Sequence, residues 1–414
     1  MSSIFDRIPD SAAVRPDLAR RAMLAQSASA LVASTLPLGT AFAQTAPAVR
    51  PLPSYAAFKD AGSMIVHSAN TIEMRRGAAG TGAVTAVAHL YVRNNLNPPS
   101  PDIVAKPDAW VVSIDGVRTP RSFTLAELKA MRSETLTMVL QCSGNGRGMF
   151  PSKPSGTPWQ VGAAGCVMWS GVPVRELAHS LGGVRQGMKF MTGTGGEVLA
   201  AGIDPKARVE RSVPIAAMED AILAWELNGE PIPLAHGGPL RLIVPGFTGV
   251  NSVKYVKHLA FTAQESDASI QQTDYRMTAA SEASMRPTDP SVWQMPPKSW
   301  INSPLADNPG LQGGHAGELT IQGVAFGGVN AVRSVDVSTD GGVSWNRAKL
   351  VGPDLGRYAW REFELPVKLS PGSHVLMSRI TDVKGNVQVE NRVENKAGYL
   401  NSSWRDHAVT VTVA

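Results

Sequence analysis

The chain has only two cysteines, Cys142 and Cys166, in 414 residues. That is too few for a disulfide framework: one bridge between the two is all they allow, and none if either is a ligand. No run of lysine or arginine is present, and the net charge of +5 is scattered along the chain, which argues against a nucleic-acid groove. Past the N-terminal region no apolar stretch is long enough to span a bilayer. There is no internal repeat and no low-complexity tract. Glycine (39) and proline (30) are abundant and favour loops, turns and β-structure over long helices. Hydrophobic content of 43% with 18% charged residues fits a globular chain with a substantial core, and the length fits two or three domains.

Residues 1–43 read as an export signal. Arg20-Arg21 precedes a weakly apolar stretch from Ala22 to about Leu38, and Ala41-Phe42-Ala43 offers a small-x-small cleavage site before Gln44. An ordinary secretory signal is the simpler interpretation. The twin arginine favours the Tat route, which exports proteins already folded around a cofactor. The mature chain is expected to be soluble, periplasmic and free of membrane anchors.

The rest divides by pattern. Residues 44–275 read as a mixed α+β region. Trp110–Gly116 is a strand and turn, and Thr124-Leu-Ala-Glu127 is a capping box opening a helix over Leu125–Met131. An apolar, β-branched strand, Leu136–Gln141, runs into Cys142. Val174–Leu181 is expected to be a helix, and so is Ile215–Leu227, ending in an Asn228-Gly229 turn. Lys189–Gly193 and Leu240–Pro245 are expected strands. Residues 264–305 carry few regular signals and form either a linker or a wrapping arm. From about Gly317 short alternating strands take over: Leu319–Ala325, Ala331–Ser338, Val343–Arg347, Trp360–Val367, His374–Thr381 and Val409–Val413. Asp340-Gly341 supplies a hairpin signal. Residues 276–414 are therefore expected to form an immunoglobulin-like β-sandwich.

Cys142 ends its strand and faces a polar glycine turn, Ser143-Gly-Asn-Gly-Arg147. A thiolate is a soft ligand and a nucleophile. Taken alone, a lone cysteine is more often a small buried hydrophobe. Several other segments share its neighbourhood in pattern: Val92-Arg93-Asn94-Asn95, Gly156-Thr-Pro-Trp159, Trp169-Ser-Gly-Val-Pro-Val174, Ala224-Trp-Glu-Leu-Asn-Gly229, His236-Gly-Gly-Pro-Leu-Arg241, Val244-Pro-Gly246, Val253-Lys-Tyr255 and Asp274-Tyr275. In this order and spacing they resemble the sulfite oxidase family of molybdenum enzymes, over roughly residues 85–414.

The resemblance implies a molybdenum–molybdopterin cofactor with Cys142 as the protein thiolate on the metal. It assigns Asn95, His236, Arg241, Ser252 and Lys254 to cofactor binding, and Arg93, Arg147, Trp159, Asp274 and Tyr275 to the substrate pocket. Cys166, in an apolar context, is expected in the core. Taken singly, Lys254 also fits a solvated strand edge, Tyr275 a loop, Trp159 the core, and each arginine a surface ion pair. Two positions depart from the family pattern. Asn95 stands where many members carry histidine, and an amide cannot titrate. Ala397, in Asn395-Lys-Ala-Gly398, stands where a pocket arginine is usual, and Lys396, Arg392 and Arg405 remain candidates to replace it.

The implied activity is oxidation of sulfite to sulfate, with electrons passed to a c-type cytochrome. The absence of a Cys-x-x-Cys-His haem motif implies that no haem sits on this chain and that the cytochrome is separate, as in bacterial exported sulfite dehydrogenases. A homodimer through the C-terminal region is also implied. Competing expectations are a sulfane dehydrogenase subunit, a methionine sulfoxide reductase, or a cofactor-free exported binding protein. The reductases of that kind lack the β-rich C-terminal region, and Tyr275 favours sulfite over sulfane.

Overall fold

The computed structural model describes residues 50–305 and 318–413; the export-signal expectation falls outside them. The strand Glu134–Gln141 begins half-exposed and ends with four fully buried residues, so its C-terminal end delivers Cys142 into the interior. It pairs antiparallel with Ala164–Pro173, which pairs in turn with Ile222–Leu227. Arg241–Ile243 and Glu230–Pro231 complete this five-stranded sheet.

A second five-stranded sheet runs in the order Arg121–Thr124, Val111–Asp115, His258–Thr262, Phe190–Thr194, Glu210–Pro214. Only the His258–Thr262 pairing with Val111–Asp115 is parallel in it. A third sheet of three short strands, Met64–Ser68, Thr71–Met74 and Val92–Arg93, carries Arg93 at its end. Two short helices pack on this frame. In Leu125–Lys129 the Thr124 hydroxyl accepts from the Glu127 backbone N–H while the Glu127 carboxylate accepts from that of Thr124, the expected capping box. Val174–Ser180 buries Val174, Leu177 and Ala178.

The C-terminal strands form two four-stranded antiparallel sheets. One is Lys298–Ser303, Glu318–Phe326, Arg361–Lys368 and Lys349–Val351; the other is Asn346–Arg347, Val332–Ser338, Gly372–Asp382 and Val409–Val413. Ile321, Phe363, Val335, Ile380 and Val411 meet between them, so the expected β-sandwich is present behind an α+β body.

Two expectations need correction, and one left open is decided. Ile215–Leu227 is not a helix: Ile215–Glu219 forms 3-10 turns and Ile222–Leu227 is a strand. Ala, Met, Glu and Leu favour helix locally. However, Leu223 lies between Val172 and Leu242, and both faces of this central strand are buried, so sheet packing overrides propensity. Val343–Arg347 contains strand only at Asn346–Arg347. The Asp340 carboxylate instead accepts from the backbone N–H groups of Val343 and Ser344 and closes a broader loop. Residues 264–305 form a wrapping arm, which buries Ala268, Ile270, Tyr275 and Val292 in the body's main core before its last strand joins the sandwich.

Candidate active site

Each strand end around Cys142 delivers a polar group to one cleft. Cys142 enters from the strand Glu134–Gln141 and Arg93 from Val92–Arg93. His236 closes the 3-10 turn Leu234–His236, and Arg241 starts the strand Arg241–Ile243. Ser252, Lys254 and Tyr275 complete the wall, with Asn95 at the solvent side. Eight of the eleven sequence-derived site residues therefore line this cleft: Arg93, Asn95, Cys142, His236, Arg241, Ser252, Lys254 and Tyr275.

Arg147, Trp159 and Asp274 do not line it. Arg147 is buried beside it, its Nε donating to the Ala397 carbonyl at 2.6 Å and an Nη to the Thr157 carbonyl at 3.1 Å. Trp159 is fully buried and backs the cleft, edge-on to Tyr91 at 6.3 Å and to His67 at 5.3 Å. Asp274 is exposed; partial burial pushes its carboxyl up, while Arg211 and Arg93 pull it back. None of the three basic candidates for the position-397 arginine lines the cleft either. Lys396 donates to the Glu282 carbonyl, Arg392 pairs with Glu394 and Asp406, and Arg405 pairs with Glu390.

The geometry is tight. The Arg241 guanidinium donates to the carbonyls of Ser252 (3.1 Å) and His236 (2.8 Å) and sits over the Trp169 ring. Lys254 Nζ donates to Asn94 Oδ1 and the Ala235 carbonyl, both at 2.6 Å. The Tyr275 backbone is left-handed (φ 50°), and its hydroxyl donates to Asn95 Oδ1 at 3.0 Å. Burial pushes that phenol up from its ordinary value against the pull of Arg93, Arg147 and Arg211, so at neutral pH it is a neutral hydrogen-bond donor. Both cysteines are free. Cys166 sits mid-strand opposite Val139, with its thiol pushed up to about 12 by burial.

Tyr91, Asn94 and Glu197 line the cleft without a site role assigned from the sequence, and Lys59 touches His236 from outside the lining. Lys59 is buried, with Nζ 2.7 Å from His236 Nε2 and hydrogen-bonded to the Leu90 carbonyl. Tyr91 and Asn94 flank Arg93. Glu197 follows Gly195-Gly196 in a loop, where only the glycine pair hinted at a special conformation.

The donor set asks for an anion. Burial pushes Lys59 down to about 6, Arg241 down to about 10, and Lys254 and His236 well below their usual values. Buried basic groups with no facing anion are destabilised in their charged forms. Glu197 is the only carboxylate among the cleft's residues, and burial pushes it up to about 7. Its Oε2 is buried with no hydrogen-bond partner, and so is the hydroxyl of Ser143 beside Cys142. A ligand with a phosphate for Arg241 and Lys254, N–H groups for Glu197, and a metal for the Cys142 thiolate suits this lining. The residues fit a molybdopterin.

Residues 98–270 match the oxidoreductase molybdopterin binding domain, and residues 289–413 match the Mo-co oxidoreductase dimerisation domain. Chicken (Gallus gallus) sulfite oxidase is 31% identical over 332 residues, covering 76% of this chain and 70% of that protein. The chain belongs to the sulfite oxidase family. Human (Homo sapiens) mitochondrial sulfite oxidase is 30% identical over 347 residues, but this family member spans only 61% of its length. Among solved structures, the sulfane dehydrogenase SoxCD from Paracoccus pantotrophus is similar with a TM-score of 0.69 at 25% identity, covering 91% of this chain and 96% of that one. The chain is thus an oxidoreductase-family protein with a molybdopterin-binding domain. No helix among its described residues is long and apolar enough to cross a membrane.

Proposed function

We propose that the chain is a sulfite dehydrogenase, oxidising sulfite to sulfate at a molybdenum centre and passing electrons to a c-type cytochrome in the periplasm. The observation that carries this reading is the convergence of Cys142, Arg93 and a protonated Tyr275 on one cleft whose inner end is lined by Arg241, His236 and Lys254. Arg241, Lys254 and Ser252 would hold the cofactor's phosphate, with Lys59 fixing His236 and Glu197 available to the cofactor's N–H groups. Cys142 would be the ligand to the metal. When bound, the cofactor supplies two-electron oxidation and oxygen transfer.

The chain's own groups bind and orient the anion. Arg93 attracts sulfite in a partly desolvated setting where charge attraction is strong. The Tyr275 phenol stays protonated and donates to a sulfite oxygen, with Asn95 holding it when no substrate is present. Arg147, buried behind Tyr275, adds positive potential without direct contact. Export through the twin-arginine signal and pairing of two copies through residues 289–413 complete the reading.

Sulfite-dependent reduction of cytochrome c, compared with ferricyanide, tests it, together with molybdenum analysis of the exported protein. A metal-free product from a molybdate-replete host overturns it. A sulfane substrate is the second reading, favoured by the similarity to SoxCD; turnover of sulfane sulfur but not of sulfite selects it.

A further inference from the structure

The segment 395–401, which lies between the last two long strands of the C-terminal sandwich, reaches back onto the Cys142 turn. The Leu400 N–H donates to the Ser143 carbonyl at 2.9 Å, and Asn401 Nδ2 donates to the Gly146 carbonyl at 3.0 Å. The Ala397 carbonyl takes the Nε–H of Arg147. Gly398 has φ 61° and lies so close that a Cβ there would stand 2.9 Å from Arg147 Cγ. Asn395 clamps the next residue on both sides: its Oδ1 accepts from the Tyr399 N–H and its Nδ2 donates to the Tyr399 carbonyl, each at 2.9 Å.

The residue so clamped is an aromatic in contact with two site groups. The Tyr399 ring stacks on the Tyr275 ring at 5.2 Å between centroids and 13° between planes, and the Arg147 guanidinium lies 5.3 Å from the Tyr399 ring centre. Tyr399 is buried and does not line the cleft. It therefore acts on the anion only through Tyr275 and Arg147.

We propose that Tyr399 is a positioning residue: it fixes the ring plane of Tyr275 and the guanidinium of Arg147, so that the C-terminal sandwich sets the geometry of the anion pocket. Resting on the sulfite reading above, this deepens it. At this segment, where position 397 is alanine, the Ala397 carbonyl holds Arg147 and the ring two residues on holds Tyr275. A flat ring against Tyr275 keeps its hydroxyl over the cleft. Without that ring the left-handed Tyr275 has a free face, and a displacement of about 1 Å at a substrate-positioning group costs on the order of 100-fold in rate.

The test compares Tyr399→Phe, which keeps the stack, with Tyr399→Leu, which removes it. Three readouts are taken: molybdenum content, the dissociation constant for sulfate by calorimetry, and kcat and KM for sulfite. Tyr399→Phe should stay within about threefold of the native protein, while Tyr399→Leu weakens sulfate binding and kcat/KM by roughly 10- to 100-fold at unchanged metal content. If Tyr399→Leu does not fold, Tyr399→Met takes its place, keeping buried volume without a ring. Sulfate affinity and turnover in Tyr399→Leu equal to native overturn the proposal, as does a Phe variant that falls as far as Leu. A native protein that binds sulfate but does not oxidise sulfite defeats the substrate reading alone, and the sulfate comparison still decides Tyr399. A native protein that binds no sulfate overturns both.

Discussion

Cys142 and Cys166 are both buried and both free, yet only Cys142 opens onto the cleft. Replacing Cys142 by serine exchanges a soft ligand for a hard one. Molybdenum content and sulfite turnover should each fall by more than about 100-fold, whereas Cys166→Ser should keep its metal. Metal analysis of the two purified variants checks this. Tyr275→Phe removes one donated hydrogen bond to the anion and leaves the ring stack intact. The expected result is a loss of about 10- to 100-fold in kcat/KM for sulfite with unchanged metal content, measured by steady-state kinetics. Glu197 adds a pH signature. Burial raises its folded value to about 7, so between the ordinary carboxylate value of 4.5 and 7 the folded state binds more protons than the unfolded state. Its contribution to stability is full below 4.5 and is lost as pH rises towards 7, with a slope of up to about 1.4 kcal/mol per pH unit. Urea unfolding of the cofactor-free protein at pH 5 and pH 7 should show this loss, and Glu197→Gln should remove it.

Strand and turn chemistry decided the elements that were legible. The capping box Thr124–Glu127 was readable because it is a local, four-residue exchange of hydrogen bonds. The strand into Cys142 was readable from its β-branched, apolar run. Ile215–Leu227 was misread, since its residues favour helix and only the ladders to Val172 and Leu242 make a strand of it. Leu223 is the centre of that strand and fully buried. Leu223→Ala should cost about 2–5 kcal/mol, seen as a lower urea midpoint at unchanged slope. The paired strands Met64–Ser68 and Thr71–Met74 were invisible in the sequence, because strands of five and four residues are too short to show a clear period.

Across the whole molecule, the junction between body and sandwich holds a buried basic cluster that nothing in the sequence announced. Lys298 is 1% exposed and donates to the Asn145 carbonyl at 3.2 Å, three residues after Cys142. Burial, with Arg76 nearby, pushes it down to about 7. Between 7 and its ordinary value of 10.5 the unfolded chain binds the extra proton, so stability from this group rises with pH across that window and is lost as pH falls towards 7. Urea unfolding at pH 7.5 and pH 9 should show a gain of up to about 1.4 kcal/mol per pH unit, and Lys298→Met should flatten it.

The sequence by itself determined the family, the two-part α+β and β-sandwich architecture, and eight residues that share the cleft. The order and spacing of short motifs carry the family resemblance, and the resemblance in turn implies the site residues. Tertiary structure alone decided that Arg147 and Trp159 stand behind the cleft, that Glu197 enters it, that Lys59 touches His236, and that Tyr399 stacks on Tyr275. These depend on contacts between segments far apart in the chain, 250 residues in the case of Arg147 and Ala397. Such contacts leave no periodic trace along the chain, because burial and partner choice are set by packing rather than by neighbours in sequence.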